Sequence, residues 1–147
     1  MEVADLLELE AIRRLKYRYM RCVDLQLFDE LRECFAPDAV SSYGDGRYSF
    51  TGRDDIVDFL RKSLTSSVLS LHTAHHPEID LTSPTTATAT WALEDTVFHT
   101  DTGLELHGAG YYHDTYVKID DEWKIASTGY QRTFEHRSTV ARTSGAG

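Results

Sequence analysis

VLSLHTAHHPEIDLTSPTTATATWALEDTVFH, residues 68–99, repeats with a period of two. Leu69, Leu71, Ile79 and Leu81 alternate with polar neighbours up to Ser83-Pro84, and the alternation resumes from Thr86 to His99. Such a pattern lays one set of side chains on a buried sheet face, and the Ser-Pro step turns the chain back on itself. The threonine-rich run from Thr82 to Thr90 suits a strand as well. Downstream, Asp101-Thr102-Gly103 makes the next turn, Leu104 to Ile119 a third long strand, Asp120-Asp121-Glu122 another turn, and Trp123 to Glu135 the last strand.

Upstream of Val68 the period is helical. Asp5 and Glu8 form a candidate capping box, and Leu9, Ile12, Leu15, Tyr19, Cys22 and Val23 recur at three- and four-residue steps. A short second helix fits Phe28 to Phe35, closed by Ala36-Pro37-Asp38 because proline disfavours helix in the residue before it. Ala39 to Tyr43 and Arg47 to Phe50 flank Gly44-Asp45-Gly46 as a small hairpin. Thr51-Gly52-Arg53-Asp54 opens a third helix that buries Ile56, Val57, Phe59, Leu60 and Leu64 and ends near Ser66. Three helices followed by a meander of long strands is an α+β pattern, with the helices on one face of a bent sheet.

At 147 residues the chain is one domain, expected to span residues 1–137, with 138–147 a flexible tail too poor in apolar residues to fold alone. Fifteen basic against twenty-four acidic residues give a net charge of −9, which repels phosphate backbones and anionic membrane surfaces, so neither nucleic acid nor membrane is an expected partner. The dense basic run Arg13-Arg14-Leu15-Lys16-Tyr17-Arg18 reads as a solvated helix face. Cys22 and Cys34 lack metal-type spacing and read as buried thiols. With an acidic start and no apolar run near eighteen residues, a cytoplasmic protein is expected.

Two residues stand out for chemistry. Asp24 lies near the C-terminal end of the first helix, where the helix dipole does not favour an anion, and needs a compensating partner. His72 lies on the strand after the third helix, with Ala74 and His76 on the same face by alternation. A carboxylate that accepts the Nδ1–H of an imidazole fixes its tautomer and frees Nε2 as a base. Taken alone, each residue reads first as structural, Asp24 as a polar helix end and His72 as a hydrogen-bonded core histidine, and spacing does not decide between that and a dyad. Tyr43, His99 and His107 fall on strands from which polar side chains could converge inside a cone. His72, His75 and His76 have metal-like spacing only if helical; a strand sends His75 to the opposite face, so no metal site is expected.

The run from Ile12 through Tyr19 to Val23-Asp24, Phe28-Asp29-Glu30-Leu31, Phe35-Ala36-Pro37-Asp38-Ala39-Val40 and Gly52-Arg53 resembles SnoaL-like proteins of the nuclear transport factor 2-like superfamily, and Tyr116 to Ile125 resembles their final hairpin. The resemblance implies a cone-shaped α+β barrel enclosing a pocket. Within the superfamily the chain looks most like the group of scytalone dehydratase, hexachlorocyclohexane dehydrochlorinase and bile-acid dehydratase, whose shared feature is an Asp-His dyad. Asp24 and His72 match its two slots, Tyr19 resembles its helix tyrosine, and Tyr43 and His107 resemble groups that hold the substrate oxygen or a water. His76 stands where relatives often carry asparagine. Ketosteroid isomerase shares the fold but keeps its base on the first strand, where this chain reads Ser41-Ser42-Tyr43.

The expectation that follows is a cofactor-independent lyase, dehydratase-like, or an isomerase, acting on a small hydrophobic, ring-containing or polycyclic molecule. Asp24, His72 and Tyr19 would be catalytic, with Tyr43, His107 and His76 binding substrate and no metal. The alternatives are a non-catalytic ligand-binding or assembly domain of the same fold and a polyketide-type cyclase. A homodimer or homotrimer is expected.

Overall fold

The computed structural model describes residues 1–139. Three helices, α1 (Val3–Asp24), α2 (Phe28–Glu33) and α3 (Arg53–Ser63), pack on a curved sheet of β1 (Phe35–Tyr43), β2 (Tyr48–Thr51), β3 (Val68–Ser83), β4 (Thr86–His99), β5 (Leu104–Ile119) and β6 (Glu122–Thr139). The sheet order is β2-β1-β6-β5-β4-β3, antiparallel except where β1 runs parallel to β6. This is the expected α+β cone, with a sheet that does not close on itself.

The helical stripe of α1 is the centre of the core. Ile12, Leu15, Tyr19, Cys22 and Val23 are buried against Phe35, Trp91, Tyr112 and Ile125 from the sheet. Each fully buried large apolar side chain contributes about 1.5–3 kcal/mol, which outweighs the modest helix propensity of a segment with three β-branched and two tyrosine residues. Lys16 joins that stripe, four residues after Ile12, and is fully buried, so the basic run is not a wholly solvated face. The start of α1 also differs: Asp5 Oδ2 accepts the Glu2 backbone N–H at 2.8 Å, while Glu8 turns away to bind Lys118 and Trp123. α2 stops two residues before the expected end, because Phe35 is already drawn into β1 beside β6, leaving Pro37 within that strand.

Gly52, at φ 93°, lets the chain leave β2 and enter α3 at once. β3 is not regular: its register on β4 shifts between His75 and Glu78, and His76 there takes a positive φ of 28°. β6 continues to Thr139, pairing Ser138 and Thr139 with Glu105 and Leu104, two residues into the segment read as a tail. Residues 140–147 of that segment lie outside the described residues. Among the described residues no helix is long and apolar enough to cross a membrane.

Candidate active site

α1 ends at Asp24 beside the start of β3, and this junction brings the two sequence-predicted residues together. Asp24 Oδ1 lies 2.7 Å from His72 Nδ1 and accepts a bond from Ser70 Oγ at 2.9 Å; Asp24 Oδ2 accepts the backbone N–H of His72 at 2.9 Å. Three contacts thus fix the carboxylate that the helix dipole disfavours, two of them from strand residues two apart on one face. With Nδ1 as donor to Asp24, Nε2 of His72 is the basic nitrogen. It stands 3.8 Å from Asp95 Oδ2, too far for a hydrogen bond.

Asp95 is 3% exposed and forms a two-pronged pair with Arg132, both bonds 2.8 Å long. These bonds hold the guanidinium above its usual range of protonation, so Arg132 is a permanent cation. Sequence reasoning missed both residues. Their signals were nevertheless present: Trp91, Leu93, Asp95 and Val97 share one strand parity, so Asp95 is an acid on an apolar face. Gly108 and Gly110 mark a close approach, since a Cβ at Gly108 would collide with the Arg132 guanidinium and one at Gly110 with the backbone of Gln131.

His72 lines a cavity of about 450 Å³ between α1, α3 and the sheet. Its deep part is aromatic, with Tyr19, Tyr43, Tyr112 and Tyr130 as walls, and Phe59 stacks on Tyr43 at 6.0 Å between ring centres. The hydroxyls of Tyr19 and Tyr43 lie 2.9 Å apart. Burial holds both phenols, and that of Tyr112, above the ordinary tyrosine range, so they are neutral donors at any physiological pH. Beneath the floor, Lys16 Nζ sits 3.6 Å from the Tyr112 ring centre, 4.6 Å from that of Tyr19, and 2.8 Å from Asp114 Oδ2. Asp114 in turn accepts Tyr116 Oη–H at 2.6 Å and Thr128 Oγ1–H at 2.7 Å. A second hollow of about 460 Å³ is lined by residues that include Asp45 and His113, of which Asp45 accepts the Arg132 backbone N–H at 3.1 Å and His113 faces Thr90.

Two predicted substrate-binding residues are placed elsewhere. His107 alternates with Leu106, which lines the cavity, and so points to the outer sheet face, where Nδ1 meets Thr96 Oγ1 at 3.1 Å. His76 is carried off the His72 face by the register shift and its ring lies beside that of His75, 6.2 Å away and exposed. Neither lines the cavity. No cluster of three or more potential metal ligands occurs among the described residues.

The SnoaL-like domain model matches residues 4–129. A curated relative named "Probable cyclase FGR4", from Gibberella zeae, is 26% identical over 138 residues, covering 84% of this chain and 89% of its own. Among solved structures, a provisionally assigned scytalone dehydratase from Novosphingobium aromaticivorans superposes with a TM-score of 0.85 at 26% identity, covering all of both chains. Hexachlorocyclohexane dehydrochlorinase LinA-type3 from Novosphingobium barchaimii superposes with a TM-score of 0.81 over 91% of this chain and 92% of its own, a likeness of fold at 15% identity. On the match of its sequence and the architecture it shares with these proteins, the chain belongs to the SnoaL-like domain family.

Proposed function

We propose that the chain is a cofactor-independent, dehydratase-like lyase that removes water from a small hydrophobic ring-containing molecule. The observation that carries this reading is the 2.7 Å Asp24-His72 contact beside an open aromatic cavity. His72 Nε2 takes a proton from the carbon next to a ring carbonyl, and the C–H electron pair forms an enolate. Of the paired Tyr19 and Tyr43 hydroxyls one donates to the other, and the second donates to the enolate oxygen as charge develops. The enolate then collapses to the conjugated ketone, breaking the C–O bond of a β-hydroxyl, which leaves as water with the proton from His72. Asp24 holds the ring and, with Asp95, offsets the imidazolium charge, while Arg132 keeps Asp95 in place.

The name of the curated relative supports a second reading: the same enolate attacking a second carbonyl within one substrate gives ring closure, a cyclase reaction. Incubation with a panel of cyclic β-hydroxyketones, followed by absorbance of the conjugated product, tests the first. Water loss that requires Asp24 supports it, and ring closure without water loss from the β-position favours the second. A homodimer or homotrimer is also proposed, since Leu69, Leu71, Tyr111 and Phe134 share the outer sheet face and are 45–60% exposed. Light scattering on the purified protein reads the mass, and a monomer contradicts it.

A further inference from the structure

The polar groups of the cavity fall into two sets. Deep in it, Tyr19 is hydrogen-bonded to Tyr43 and His72 to Asp24. At the mouth, the half-buried His99 imidazole and the exposed hydroxyls of Ser63 and Tyr48 line the same cavity, and none of them makes a side-chain hydrogen bond or ion pair among the described residues. Polar side chains on the wall of an otherwise apolar cavity are the groups that orient a ligand.

Asp95, Val97 and His99 share one face of β4, and His99 pairs with Val68 where Asp95 pairs with His72. At 3.2–3.4 Å per strand residue, four residues place the His99 level about 13 Å from that of His72. A fused-ring skeleton with one substituent bridges that span. The three mouth groups can all donate hydrogen bonds, imidazole in either tautomer and both hydroxyls by rotation. Among the described residues no Asp or Glu lines the cavity, so an acceptor-only group placed there meets no like charge from them.

Building on the dehydratase reading above, we infer that the substrate is a flat fused-ring molecule carrying a ring oxygen at the Tyr19-Tyr43 end and a carboxylate at the other. His99 is the residue that selects the carboxylate, with Ser63 and Tyr48 as further donors on the wall of the same cavity.

Two probes that differ only in this group test the inference: 2-naphthol and 6-hydroxy-2-naphthoate, titrated by calorimetry into the full chain and into His99→Ala. The full chain is expected to bind the naphthoate about tenfold or more tighter than 2-naphthol, the worth of a charge-assisted hydrogen bond. His99→Ala is expected to abolish that preference, and His99→Gln, which retains a donor, to restore part of it. An unchanged thermal transition shows that each variant is folded. Equal affinity of the full chain for the two probes, or a preference that survives His99→Ala, overturns the inference. If 2-naphthol binds without such a preference while water elimination proceeds, only the carboxylate assignment falls. If neither probe binds and no elimination occurs, the reading of the cavity as a substrate site falls with it.

Discussion

A lysine with no exposed surface is costly to bury unless its charge is matched, and Lys16 is matched by Asp114 at 2.8 Å and by the faces of Tyr112 and Tyr19. Burial pulls the ammonium below the ordinary lysine range and Asp114 opposes that pull. The pair therefore fixes two cavity tyrosines from behind. Lys16→Met leaves Asp114 buried without its cation and is expected to cost about 3–5 kcal/mol, read by denaturant unfolding. The double variant Lys16→Met/Asp114→Leu is expected to recover part of the loss, and a single variant as stable as the parent contradicts the role. At this scale the sequence was half legible. Asp24 and His72 could be singled out by residue type and place, at the end of one helix and on the strand after the third, but it was the resemblance to the Asp-His dyad group that paired them. Lys16 was not legible, since the basic run around it conceals one residue on the apolar stripe.

Between elements, the site depends on strand irregularities that no period reveals. The β5-β6 register shifts between Ala109 and Gly110, and the glycines at 108 and 110 make the room that Arg132 uses to reach Asp95. Gly110→Ala forces a methyl group against the backbone of Gln131 and is expected to destabilise the fold by about 1–3 kcal/mol. For a domain of this size that lowers the melting temperature by several degrees. A melting temperature equal to that of the parent contradicts the close-packing account. The four long strands were legible because alternation and turn residues are local signals, and β3, β4 and β5 fall where those signals place them. The β3 irregularity was not, and extrapolating alternation past it put His76 on the wrong face. His107 failed differently: it lies in a regular strand, and only the partner strands decide which parity faces the cavity.

Across the whole molecule, the helices supply one wall of the cone and the sheet the other, so the Asp24-His72 pair sits where α1 and β3 meet, with aromatic walls around it. That arrangement keeps the net charge of −9 away from the cavity: Asp24 and Asp95 each have a fixed partner, and no carboxylate among the described residues lines it. It also defines what the chain has to do if it is a catalyst and not a carrier, which is to take a proton from carbon. The most direct measurement is deuterium uptake at the α-carbons of a bound cyclic ketone, 2-tetralone, followed by NMR in D2O with the parent chain and with His72→Ala. Exchange above the buffer rate that falls about 10²–10⁴-fold in a folded His72→Ala variant is the predicted result. Exchange that is equal in the two proteins, or no faster than in buffer while the ketone is bound, contradicts the assignment of His72 as the base.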